Sequence, residues 1–304
     1  IFIYALFIVI SSFTLFYQNY FGRFLSWDGY QTPRYGAPGY ASLTGNVVTY
    51  GPSLGLAVFY FVFISKINSI FRIIFISSII IAVFFTMSKS AFANVAIVLF
   101  LLIIFFKYTN NKISIIFTSV TILLFFYFNE DFNKNVVILL SQVSGVEIED
   151  GSLNNKYIPF SKLLFDRLGG GWFLNYIENF DHTTMDILFG KGLVGGSGAL
   201  SSFMGYDNHP IFGSSVNTFH NTYLDFFQIA GIVGLFIFTI FFINVYFNLL
   251  VISLNNNKIA LVLLLGNTIF LINCFVANGI MFQPYTSFSF WIAVSYLIKF
   301  KPTK

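Results

Sequence analysis

Two cations and one histidine stand where a phosphorylated or sugar-bearing ligand could be handled. Arg34 lies in Pro33-Arg34-Tyr35-Gly36-Ala37-Pro38-Gly39-Tyr40, with Thr44, Gly45 and Asn46 close behind. Pro and Gly at that density give an ordered, non-helical loop whose backbone can approach a ligand closely. A guanidinium suits diphosphate because its planar fork donates two parallel hydrogen bonds. The plain alternative for Arg34 is a surface salt bridge with Asp28. Lys89 sits in Ser88-Lys89-Ser90 between two apolar runs. An ammonium near a membrane face is costly unless it is paired or binds an anion; the plain alternative is a lysine snorkelling from a helix end. His220-Asn221 directly precedes another apolar run, and Thr222-x-x-Asp225 looks like a capping-box variant for that helix. The dipole of a helix start disfavours the imidazolium, so His220 is a neutral general base or a structural hydrogen-bonder.

Other residues of chemical type lack the right pattern. His182 and His209 neighbour acids in Asp181-His182 and Asp207-Asn208-His209, but no zinc-ligand spacing occurs and no metal is expected. The glycines at 169–171 and 195–198 follow no strand and open no P-loop, so neither a nucleotide nor any other cofactor is expected. Trp27, Tyr30, Tyr35, Trp172 and Tyr206 suit stacking on sugar rings and suit an interfacial aromatic belt equally well.

The elements that must position these groups are written in the composition. Apolar residues make up 57% of the 304, charged residues only 9%, and Phe alone occurs 43 times. A soluble domain of this length has no way to hide so much apolar surface. Continuous runs near ~20 residues, enough to cross roughly 30 Å of hydrocarbon, recur at 1–17, 46–64, 69–86, 91–106, 113–128, 223–250, 259–276 and 287–299. The fold class expected is all-α: a polytopic helical membrane bundle with about eight transmembrane helices and one large outer loop. Its divisions are an N-terminal membrane bundle (1–128, outer loop 18–45), a large periplasmic or extracellular loop (129–222, short helices near 156–168 and 172–180) and a C-terminal membrane bundle (223–304). A loop of that length is expected to pack over the bundle as a cap. Opening on Ile1 inside a hydrophobic run, the chain reads as a fragment lacking earlier spans. The lone Cys274 has no partner for an internal disulfide.

Charge sets the orientation. All twelve acids and all three histidines fall on one side of such a threading. Lys66, Arg72, Lys107, Lys112, Lys258, Lys299, Lys301 and Lys304 fall on the other, in short acid-free connections, which marks the cytoplasm and puts the C-terminus there. Arg23, Arg34, Lys89, Lys134, Lys156, Lys162, Arg167 and Lys191 share the acidic, outer side. The pI near 9.0 is therefore an orientation signal and no sign of nucleic-acid binding.

Taken in order, these signals resemble the bacterial O-antigen polymerase and O-antigen ligase superfamily. The resemblance rests on Arg34-Tyr35-Gly36 with Asn46 at a span start, on the Thr86-Met87-Ser88-Lys89-Ser90 turn, and on His220-Asn221-Thr222-Tyr223-Leu224 closing the long loop. Arg167, then Trp172, then Asp186-Ile187-Leu188-Phe189-Gly190-Lys191-Gly192 is similar to the family's loop stretch, and Gly231-Ile232-Val233-Gly234 fits its continuation. One departure is that Lys89 stands where the family usually has arginine, keeping charge but losing the fork.

That resemblance implies an inverting, metal-independent glycosyltransferase of the bacterial cytoplasmic (inner) membrane, with its active site on the outer face. Its substrate is an undecaprenyl-diphosphate-linked oligosaccharide. Its other partners are membrane lipid and a chain-length regulator protein. The expected activity is polymerisation of O-antigen or capsule repeat units. The alternatives are ligation of the glycan to lipid A-core and, in a different class, a flippase for lipid-linked sugars; the absence of duplicated halves and mid-span charges weighs against the last. His220 and Arg34 are the expected catalytic residues. Lys89, Arg167, Asn221, Asn46 and Asp225 are expected to bind diphosphate or sugar.

Overall fold

An apolar segment without water must satisfy its own backbone, and helices do so within one run of chain. The computed structural model describes residues 1–22, 31–34, 37–44, 50–109, 111–130, 147–149, 152–154, 183–192, 221–276 and 284–300. Most of them are helical. Helix α1 spans Phe2–Phe21, α2 Tyr50–Phe63, α3 Ser69–Phe85, α4 Lys89–Ile104 and α5 Lys112–Phe128. After the short α6 (Thr184–Phe189) come α7 (Thr222–Leu254), α8 (Lys258–Val276) and α9 (Pro284–Lys299). Each apolar run singled out in the sequence is thus a helix. Two of these, α1 and α7, are long and apolar enough to cross a membrane by length and composition.

Two small antiparallel hairpins were not anticipated: β1 (Gln31–Arg34) with β2 (Ala37–Tyr40), and β3 (Glu147–Glu149) with β4 (Ser152–Asn154). The helices expected near 156–168 and 172–180 lie outside the described residues.

The chain divides into two compact units. The first holds Ile1–Ile158, Leu249–Phe270 and Phe288–Lys304; the second holds Pro159–Asn248 and Leu271–Ser287. This grouping cuts across the three segments expected from the sequence, because the last three helices contribute residues to both units.

Within the first unit α1 packs on α2 and α3, α3 on α5, and α2 on α4. Its core is apolar, with Tyr50, Phe59, Phe61 and Phe85 fully buried. A seam of small polar residues runs through it. Ser12 Oγ donates to Ser78 Oγ at 3.1 Å, the Tyr4 hydroxyl to the Ser53 carbonyl at 3.2 Å, and the Tyr50 hydroxyl to the Ile79 carbonyl at 3.2 Å. Such short side chains permit close helix approach, and their hydrogen bonds specify which helix faces meet.

The opposite surface of several helices is apolar too. On α5, Ile113, Ile116, Phe117, Leu123, Tyr127 and Phe128 are exposed, as are Phe236, Ile237, Ile243 and Phe247 on α7.

Helix α7 is not straight. Gly231 breaks it with φ 65° and ψ −168°. Phe226 and Phe238 stack at 3.8 Å between ring centroids, although twelve residues of straight helix would separate them by about 18 Å. The expected span 223–250 is therefore an elbow, with an arm at 222–230 and a longer limb at 232–254. Its cause is local: only glycine readily takes positive φ with ψ near 180°. Gly234 lies just beyond, where a Cβ would stand 2.2 Å from the Ala230 methyl.

Candidate functional site

Arg34 belongs to the first unit. The register pairs Arg34 with Ala37 and Pro33 with Pro38, so the ordered, non-helical segment is a hairpin and Arg34 is the last strand residue before the 35–36 connection. Both prolines are tolerated because each strand of a two-stranded ribbon is an edge. Strand β2 packs against α1 and α3.

The chain that follows β2 turns inward. Tyr40, Ala41, Ser42 and Thr44 are buried, and Ser42 takes φ 59°. Gln18 Oε1 accepts from the Ser42 amide at 2.9 Å, and Ser42 Oγ donates to the Ser11 carbonyl at 2.6 Å. Ser11 lies mid-helix, roughly 15 Å from the end of α1 at 1.5 Å per residue. The hairpin is thus tied to a helix interior by side chains whose apolar neighbours hide them from a reader of sequence.

Lys89 also belongs to this unit. The end of α1 meets the end of α3 through Phe16–Phe85 and Tyr20–Phe85 ring contacts at 5.2 and 6.2 Å, so the hairpin and the turn after α3 share one end. Thr86 Oγ1 donates to the Val83 carbonyl at 2.7 Å and accepts from the Ser88 amide at 3.3 Å. Met87 is buried at φ 49°. Ser88 then caps α4 by accepting from the Ala91 amide at 3.4 Å. The expected turn at 87–90 is shorter than anticipated, and Lys89 is the first residue of α4. Just beneath, a Cβ on Gly51 would fall 2.5 Å from Ala91 Cα, so α2 and α4 touch backbone to backbone.

The other end of the first unit carries the acid-free connections. Arg72 is buried there and donates to Asn111 Oδ1 at 2.6 Å, the Ser65 carbonyl at 2.8 Å and the Ile67 carbonyl at 2.9 Å. Thr109 Oγ1 and Asn111 Nδ2 both donate to the Val62 carbonyl. Read from sequence as a mere orientation charge, Arg72 is instead the clasp between two helix connections.

The second unit holds Asn221 and Asp225. Asn221 Oδ1 accepts from the Tyr223 amide at 3.0 Å and the Leu224 amide at 3.3 Å. The cap of α7 is thus Asn221 and not Thr222, one residue earlier than the capping-box reading placed it. Asn221, Thr222, Asp225 and Gln228 are all buried, at a spacing that puts them on one side of the arm 222–230. That polar stripe was missed; its signal was the i, i+3/i+4, i+7 recurrence of polar residues at the head of an apolar run. The Tyr223 hydroxyl donates to the Leu271 carbonyl at 3.3 Å.

Helix α6 meets this arm through its C-terminal turn. It is started by a full capping box between Thr183 and Asp186. The Lys191 amide donates to the Gln228 carbonyl at 2.9 Å. A Cβ on Gly190 would lie 2.3 Å from the Ile229 carbonyl, and one on Gly231 would lie 2.3 Å from that of Leu188. The two glycine-bearing motifs of the sequence therefore meet in space.

His220, Arg167 and Asn46 lie outside the described residues, as do His182 and His209. Among the described residues no three of His, Cys, Asp and Glu group closely enough to hold a metal ion. No family model, curated protein or solved structure matches the chain.

Proposed function

We propose that this chain is a multi-pass protein of the bacterial cytoplasmic membrane that polymerises surface-polysaccharide repeat units. It transfers a growing glycan from undecaprenyl diphosphate to another lipid-linked repeat unit on the outer face. The single observation that carries the reading is the sorting of charge along the first unit. One end has basic, acid-free connections; the other has the Arg34 strand and the Lys89 helix start.

Membrane residence is supported by the exposed Phe, Ile and Leu of α5 and α7, far more than a soluble surface carries. The limb 232–254 alone extends about 34 Å, enough for roughly 30 Å of hydrocarbon. The inward turn at 40–44 also fits, since irregular backbone at membrane depth must be buried in protein and hydrogen-bonded there.

In the proposed reaction an acceptor hydroxyl gives its proton to the His220 imidazole as its oxygen attacks the anomeric carbon of the donor. The bond from that carbon to the diphosphate oxygen breaks, and undecaprenyl diphosphate leaves with the electron pair. Arg34, Lys89 and Arg167 balance the charge gathering on the leaving oxygen, a contribution of several kcal/mol in a poorly hydrated site. Asp225, buried in the first turn of α7, orients and balances the imidazolium as it forms. Asn221 caps the helix that follows His220 in the chain. In-line attack inverts the anomeric centre.

The test is His220→Ala in the full-length protein, read by gel profiles of surface polysaccharide and of lipid-linked intermediates. Loss of long chains with accumulation of lipid-linked single repeats is expected. Normal long chains would remove His220 from the mechanism, and long polymer stranded on the carrier would indicate the ligase instead.

A further inference from the structure

The basic end of the first unit is not closed by side chains. A cavity of about 250 Å³ opens between the connection after α4 and the turn joining α7 to α8. This is just below the roughly 300–1,000 Å³ of ligand pockets, and suits a headgroup with part of a chain. Leu250, Leu254, Leu261 and Leu264 form an apolar wall, while Lys258 and Asn257 lie at its polar rim. Lys258 is the first residue of α8, and Asn257 Oδ1 caps that helix by accepting from the Ala260 amide at 3.0 Å.

The surroundings are of one sign. Lys107 Nζ stands 5.0 Å from the Tyr108 ring, itself a cavity wall, and Lys112 Nζ stands 5.6 Å from the Phe106 ring. Residues 65–68, 105–112 and 251–258 contain no Asp or Glu. An apolar wall beneath a cationic, amide-rich rim is complementary to an anionic amphiphile and poorly suited to a neutral or cationic one.

We propose that this cavity is a binding site for an anionic phospholipid of the cytoplasmic leaflet. The phosphate sits against Lys258 and Asn257, with an acyl chain along the leucines. The proposal rests on the membrane reading given above but involves none of the residues assigned to glycosyl transfer.

The test begins with alkaline carbonate extraction of membranes containing the full chain. Release into the supernatant would overturn the membrane reading and this site together. Retained protein is then purified in neutral detergent, and its unfolding temperature is measured with added phosphatidylglycerol, phosphatidylcholine or inorganic phosphate. Phosphatidylglycerol at a hundredfold excess over its Kd should raise the temperature by about 5 °C, and phosphatidylcholine and phosphate by much less. Lys258→Gln should abolish the difference between the two lipids. Leu254→Trp, at a position 73% exposed and so tolerant of bulk, should weaken it by crowding the acyl groove. Equal shifts by both lipids, an equal shift by phosphate alone, or a preference that survives Lys258→Gln would each overturn the lipid site while leaving the polymerase reading standing.

Discussion

Gly190 and Gly231 cross back to back, each at positive φ and each with the other's chain 2.3 Å from where its own Cβ would stand. Their ψ angles of 178° and −168° put both in a region that is essentially closed to other residues. The contact joins the end of α6 to the elbow of α7 without any side chain between them. It makes the elbow a fixed joint.

Gly231→Ala should therefore cost about 3 kcal/mol or more, from strain and from the clash with the Leu188 carbonyl. Gly192 is the matched control: it also has positive φ, yet nothing lies within 4 Å of a Cβ there. Gly192→Ala should cost only about 1–2 kcal/mol, the price of its backbone conformation alone. Unfolding in detergent measures both, and equal effects would refute the crossing.

Arg72→Lys should destabilise the protein by about 2–4 kcal/mol, because an ammonium cannot reach Asn111, Ser65 and Ile67 together and is left buried with fewer partners. Its folded fraction should retain polymer synthesis. Thermal unfolding and the polysaccharide profile of the same variant separate the two; loss of activity without loss of stability would contradict a purely structural clasp.

Asn221 can be split into cap and chemistry. Asn221→Ser keeps a capping oxygen and should leave stability within about 0.5 kcal/mol, whereas Asn221→Ala should lose about 1 kcal/mol. If Asn221→Ser abolishes polymer while stability holds, the amide does more than cap the helix.

Arg34→Lys tests the guanidinium fork. We expect polymer synthesis to fall about tenfold or more, since one point charge replaces two parallel hydrogen bonds. Lys89→Arg, which adds a fork at the start of α4, should retain activity, and Lys89→Gln should lose at least tenfold. Unchanged rates with Arg34→Lys would show that bidentate binding is not what Arg34 supplies.

Helix positions were legible because composition alone demands them: a continuous apolar run has few other ways to satisfy its backbone. The break in α7 was less so. Gly231 was noticed as a motif, but a glycine inside an apolar run reads the same whether the helix passes straight through or turns. Arg72 reads from sequence as an orientation charge alone, since its partners are two carbonyls and a distant asparagine. The cap of α7 was displaced by one residue, because Asn221 and Thr222 are both good capping types and only geometry chooses between them. Tertiary proximity of Gly190 and Gly231 had no local signal at all.

The inward tether of Ser42 carries a consequence for how this protein tolerates change. Gln18 and Ser11 hold the segment behind the Arg34 hairpin from within a helix that is otherwise greasy. Random substitutions that silence the outer surface should therefore include losses at Gln18, a residue that carries no charge itself. A loss at Gln18 takes the acceptor from the Ser42 backbone amide, and no side-chain change at Ser42 puts it back. The hairpin's mutational fate is tied to the middle of α1.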